Sequence, residues 1–161
     1  MITGSIKKSW TTKDYVNGPW RKNSNPFIGF KTSNKNKKLY SNIQVYINNK
    51  VNKKFLQIAK KFKLKNTVIA LNKMTPGQIL PFHTDKYATY SKRNSVKNKK
   101  NIIRIVVFLE DTVPGQQLWI NDKICVGKAG SYFGWQGQVE HMAANLSLKN
   151  RYTLQITGTK C

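Results

Sequence analysis

Acidic residues are what this chain has least of: six Asp and Glu stand against 29 Lys and Arg, a formal net charge of +23 in 161 residues. Such a field attracts polyanions, acidic proteins or anionic membrane surfaces. Composition alone gives the same imbalance, because Lys and Asn rise together in runs such as residues 33–38 and 97–101, as AT-rich coding produces without any partner. On either account, an acid placed close to a histidine carries information. Cysteine is almost missing. Cys125 and Cys161 make one candidate pair, which excludes a disulfide framework and a Cys-His metal site, and points to reduced thiols in the cytoplasm. No apolar run approaches the ~20 residues of a membrane span, and the N-terminus lacks a signal-peptide core. The expectation is a soluble, cytoplasmic protein of one domain, residues 1–161, with room for a proper core and little for a second module.

Histidine is as rare as cysteine, and both histidines stand in telling places. Residues 78–85 read as a strand entered from a turn at Pro76-Gly77. Positions i and i+2 of a strand share a face, so His83 and Asp85 reach one ion together while Thr84 turns away. A second strand, residues 139–144, brings in His141 from far along the chain. Two imidazoles and one carboxylate on one face of an ion leave its opposite positions open, as Fe(II) chemistry with O2 and a substrate requires. The last strand, residues 151–157, opens with Arg151 ten residues after His141. Arg151 and Thr153 share a face by the same alternation. A guanidinium offers a rigid fork to a carboxylate, and a neighbouring hydroxyl adds a third hydrogen bond. The ligand to expect is a small dicarboxylate such as 2-oxoglutarate, its keto-acid end chelating the iron and its distal carboxylate on Arg151. A lone His-x-Asp is common by chance. The second His, the Arg and the strand context are separate requirements, and all are met.

The rest of the chain suits a β-rich scaffold. The first forty residues read as an irregular arm with short extended pieces, its Trp10, Tyr15, Trp20, Phe27 and Phe30 packing on the core rather than stacking bases. Ile43, Val45 and Ile47 alternate as in a strand. Residues 50–63 read as an amphipathic helix, with Val51, Phe55, Ile58 and Phe62 in one stripe and Lys53, Lys54, Lys60 and Lys61 off it. Eight strands then follow, at 67–71, 79–85, 102–109, 117–120, 123–126, 131–135, 139–144 and 151–157. One helix, eight strands and Gly-bearing turns suit a mainly β fold, either a sandwich or a double-stranded β-helix (jelly roll). The metal ligands favour the jelly roll, with residues 1–65 as arm and helix and 66–158 as the core. The basic stretch 86–100 leaves directly from the metal motif and reads as a long loop, either a substrate lid or an insertion without a role. Tyr87, two residues past Asp85, is its best candidate for substrate contact. Arg104 shares a face with Val106 and Phe108; if that face is interior, it needs an anionic partner, substrate or cosubstrate. Trp119 and Trp135 read as core or pocket walls.

These residues resemble the Fe(II)/2-oxoglutarate-dependent dioxygenases, and most closely their prolyl-hydroxylase-like branch, including small bacterial and phage forms. The likeness is carried by Pro76-Gly77, by residues 81–85, 104–109 and 130–133, by Glu140-His141, and by Arg151-Tyr152-Thr153, and it spans about residues 66 to 158. It implies Fe(II) on His83, Asp85 and His141, 2-oxoglutarate on Arg151 and Thr153, and O2-dependent hydroxylation of a protein or peptide side chain such as proline. The chain departs from the branch in one respect: the strand after His-x-Asp carries Phe108 and no Tyr for the cosubstrate. Two rivals stand beside this reading. A cupin-like metalloenzyme would use the same ligands without 2-oxoglutarate, and a basic nucleic-acid-binding protein would need none of them.

Overall fold

Two neighbouring strands are buried on both faces, and this sets the layering of the molecule. The structure is a computed structural model describing residues 1–22, 46–48 and 50–160. In it β1 (Ile2–Ser5), β2 (Arg21–Lys22), β3 (Tyr46–Asn48) and helix α1 (Lys53–Lys60) precede β4 (Lys65–Met74) and β5 (Gln78–Thr84). Helix α2 (Ala88–Arg93) follows, then β6 (Ile102–Phe108), β7 (Gln116–Ile120) and β8 (Lys123–Cys125). β9 (Ser131–Gln136), β10 (Glu140–Asn145) and β11 (Arg151–Thr159) complete the fold. A large antiparallel sheet runs β1-β9-β6-β11-β4-β3-β2, and a small one β5-β10-β7-β8. The fold is the double-stranded β-helix expected from the strand pattern and the metal ligands.

Along β6, Ile103, Ile105 and Val107 join one apolar cluster, whereas Val106 and Phe108 join another with Leu118 and Ile120 of β7. β11 does the same: Tyr152, Leu154 and Ile156 face outward, and Arg151, Thr153 and Gln155 line a cavity between the sheets. The larger apolar core therefore lies outside the two-sheet sandwich. It is closed by α1 through Phe55, Ile58 and Ala59, and by the arm through Trp10 and Tyr15. The interior between the sheets is left to smaller clusters and to polar side chains. That division gives the chain a stable core without filling the site.

The arm is more regular than expected. β1 pairs with β9 and extends the large sheet. Gly130, at φ +97°, makes this possible: Ile6 N–H donates to its carbonyl, and a Cβ there would collide with the Ile6 carbonyl. The arm aromatics that are described pack as expected. Trp10 Nε1 donates to the Leu109 carbonyl, Tyr15 hydroxyl donates to Glu110, and the Tyr15 and Trp20 rings lie against Tyr152. Asp14 accepts from Thr11 N, Asn52 Nδ2 and Lys54 Nζ, tying the arm to the start of α1. Phe27, Phe30, the lysine run 33–38, the first part of the 43–47 strand and Cys161 lie outside the described residues.

Helix α1 is shorter than the stripe suggested. Asn52 caps it by accepting from Lys54 N, and Lys63 in the left-handed region (φ 50°) turns the chain away at the other end. Val51 and Phe62 still pack on the same core from just outside the helix. The stretch 86–100 is not a plain loop. It holds α2 and a 3-10 turn (Lys99–Asn101) capped by Asn98. Tyr90 hydroxyl anchors it to the Asn66 carbonyl. Short local hydrogen bonds satisfy backbone groups that a structureless loop would leave to water.

Phe55 is fully buried between α1 and the large sheet. A Phe55→Ala protein should unfold with a stability loss of about 3–5 kcal/mol in urea, while keeping its metal affinity when folded. A loss under about 1 kcal/mol would mean that the outer core does not hold the fold.

Candidate metal centre

The pairing of β5 with β10 creates the site. His83 stands directly opposite His141 across the two strands, and the imidazole centroids are 4.2 Å apart. The same pairing sets Leu80 opposite Ala143, so Pro81 and Phe82 of β5 stand against Met142 alone of β10. This β-bulge falls at Pro81-Phe82, where a Pro within the strand marks an interruption of the ladder. Leu80 and His83 consequently both face inward. Unbroken alternation from Leu80 would have turned His83 to solvent. Asp85 follows the last residue of β5 and turns its carboxylate back toward the imidazoles.

Each imidazole is oriented by its own backbone. Nδ1 of His83 lies 2.7 Å from the Pro81 carbonyl, and Nδ1 of His141 lies 2.9 Å from that of Val139. Assigning the proton to Nδ1 from these contacts turns both Nε2 atoms to Asp85, at 4.0 Å from Oδ1 for His83 and 3.7 Å from Oδ2 for His141. Backbone orientation of the non-ligating nitrogen is the usual support for metal-binding histidines. Burial pulls His141 down to about 4, partly offset by Asp85, so it stays neutral and able to bind metal at neutral pH. The Trp135 ring packs on His141 at 4.3 Å. Candidate ligand atoms of His83, Asp85 and His141 all lie within 4.8 Å of one another. Two nitrogens and one oxygen from facing strands fit a divalent first-row ion and leave one side for other ligands.

His141, Trp135 and Arg104 form one end of a cavity of about 60 Å³, enough for a few water-sized groups. Arg151, Thr153 and Met74 form the other end, with Asn72 and Gln155 along the floor. Arg151 is buried and reaches only poor partners among the described residues: Nη1 lies 3.6 Å from the Met74 sulfur, and the guanidinium sits 5.4 Å over the Phe108 ring. Its Nη2 is buried without a hydrogen-bond partner. Burial lowers it to about 10, so it remains a cation at neutral pH. A buried, protonated guanidinium without a carboxylate is costly, and an anionic ligand removes that cost.

The structure gathers His83 and Asp85 with His141, and His141 lines the same cavity as Arg151 and Thr153. Arg104 does face inward, and its anionic partner is Asp85, with Nη2 3.3 Å from Oδ2. Tyr87 is buried, its backbone left-handed at φ 51°, its ring 5.2 Å from the Arg104 guanidinium and its hydroxyl donating to the Gly137 carbonyl. Burial pushes that hydroxyl up to about 12. Gln155 and Asn72 went unnoticed in the sequence, although Gln155 shares the alternation of Arg151 and Thr153. The stacking of Trp135 on His141 has no local signal. A wider cleft of about 540 Å³ adjoins Trp135 on the other side, walled by Ile120, Asn121, Lys123 and Val139.

No protein-family model matches the chain, and no curated protein does. Solved structures share its fold. A prolyl-4-hydroxylase from Pseudomonas putida is 13% identical over 76% of this chain and 74% of its own, with a TM-score of 0.55. A predicted oxalate decarboxylase from Thermotoga maritima is 16% identical over 72% and 81%, with a TM-score of 0.46. At 13% identity the likeness to the prolyl-4-hydroxylase is one of fold alone. Among the described residues no helix is long and apolar enough to cross a membrane.

With Mn(II) as a paramagnetic probe, the metal-stripped protein should bind one ion, and His141→Ala should weaken that binding by on the order of 100-fold. Electron paramagnetic resonance titration reads this directly. Equal affinity in the variant would remove His141 from the site.

Proposed function

We propose that the protein is an Fe(II)- and 2-oxoglutarate-dependent oxygenase that hydroxylates a protein or peptide side chain, with proline the side chain its resemblance suggests. The observation that carries this reading is Arg151: a buried guanidinium whose Nη2 has no hydrogen-bond partner among the described residues, in the cavity whose other end is His141. Such a cation calls for an anionic ligand, and the distal carboxylate of a dicarboxylate cosubstrate would supply one. His83, Asp85 and His141 would hold the iron, and Arg151 with Thr153 the distal carboxylate of 2-oxoglutarate. When bound, the pair supplies O2 activation coupled to oxidation of 2-oxoglutarate to succinate and CO2.

The chain's own residues orient and enclose. Backbone contacts at Pro81 and Val139 hold the two imidazoles with Nε2 toward Asp85. Arg151 and Thr153 fix the far end of the cosubstrate, so that its reacting end points one way only. Leu80, Val106, Leu118 and Ala143 add apolar lining to the same cavity, which helps to exclude water from a reactive centre. A peptide substrate would lie in the cleft that shares Trp135 with the cavity, and the basic surface favours an acidic peptide there.

Purified protein with Fe(II), 2-oxoglutarate and O2 should form succinate, detectable by mass spectrometry, and a peptide substrate should speed it. His83→Ala or Asp85→Ala should abolish turnover while leaving the fold intact. Arg151→Gln should raise the KM for 2-oxoglutarate on the order of 100-fold, the loss expected when one partner of a buried charge pair is removed. Undiminished turnover in Arg151→Gln would move the reading to a metalloenzyme that does not use 2-oxoglutarate.

A further inference from the structure

We infer that Arg104 is a resident counter-ion for Asp85, competing with the metal for that carboxylate and making the centre both preformed without metal and weaker in holding it. This rests on the reading of His83, Asp85 and His141 as a metal site. Asp85 is one of only six acids in the chain, and its side chain is 19% exposed. A carboxylate so placed needs a cation or strong donors. Arg104 Nη2 supplies the cation at 3.3 Å from Oδ2, the same oxygen that lies 3.7 Å from His141 Nε2. A metal ion drawn to that oxygen meets a positive charge already there.

Arg104 is built into this position. It lies on β6 directly opposite Trp135 of β9. Its guanidinium rests against the Tyr87 ring, which is itself fixed by burial and by its bond to the Gly137 carbonyl. The Asp85 carbonyl accepts from Gln138 Nε2, while its Oδ2 is buried with no hydrogen-bond partner among the described residues, so the Arg104 charge is what faces it. Self-satisfaction does not explain the placement, because Arg104 Nε is buried without a partner among the described residues. The Arg104 guanidinium is therefore a built-in competitor for that carboxylate. It keeps the ligand carboxylate in place while the centre is empty and raises the metal concentration needed to load it.

The test compares metal-stripped full-length wild type with Arg104→Met, which keeps the aliphatic stem and removes the charge, and with the Arg104→Met/Asp85→Asn double variant. Mn(II) is the probe. In Arg104→Met, Mn(II) should bind about tenfold more tightly or better, since a like charge a few ångströms away is gone. The metal-free single variant should melt earlier than wild type, and saturating Mn(II) should recover most of the difference. The double variant, lacking both charges, should regain metal-free stability without Mn(II); it also serves if the single variant does not fold. Equal or weaker Mn(II) binding in Arg104→Met overturns the inference, as does a double variant no more stable than the single one. Wild type that binds no Mn(II) overturns the metal site itself.

Discussion

The register between β5 and β10 is the constraint on which the site depends. One extra residue at Pro81-Phe82 brings His83 into phase with His141 and leaves Leu80 facing the same interior. Removing that bulge would move His83 to solvent and break the ligand set with a single step of the ladder. The two candidate histidine ligands are thus held by backbone hydrogen bonds between strands, with Asp85 just beyond the end of β5. The imidazoles add their own Nδ1 contacts to that frame. A site built on paired strands is more accurately placed than one carried by a mobile segment.

A polar interior would be expensive if the fold relied on it for cohesion. The chain avoids this by placing its main apolar core on the outer side of the large sheet. Phe55, Leu154 and Ile156 are fully buried there, beneath α1 and the arm. Alternation along β6 and β11 then delivers Arg104, Arg151, Thr153 and Gln155 to the inner side at no cost to that core. Buried cations inside are stabilised unequally. Arg104 has Asp85, while Arg151 has an aromatic face and a sulfur, both weak partners for a guanidinium. Arg104 is thus already paired with a carboxylate, whereas Arg151 has none among the described residues.

Much of this was legible because alternation is a strict rule. It placed His83 with Asp85, Arg151 with Thr153, and Arg104 with Phe108 on shared faces, while the helical period marked the stripe from Val51 to Phe62 as one packing surface. What escaped is non-local or breaks the alternation. The bulge at Pro81-Phe82 has a signal in the proline, but its register is set by β10, about sixty residues later. The Arg104–Asp85 pair joins two strands of different sheets, and no spacing encodes it. α2 hides in a lysine-rich stretch whose polarity resembles a loop, and only the buried Tyr87 and the Tyr90 anchor show how it is fastened. β1 reads as part of an arm because its pairing depends on Gly130, far along the chain.

The central claim is that the His-Asp-His centre and Arg151 serve one ligand together. The most direct measurement is the visible absorption spectrum of the protein with Fe(II) and 2-oxoglutarate added without oxygen. The account predicts a metal-to-ligand charge-transfer band in wild type that is lost in Arg151→Ala at the same ligand concentration. Iron shown to be bound with no such band in wild type would contradict it, and so would a band that Arg151→Ala leaves unchanged.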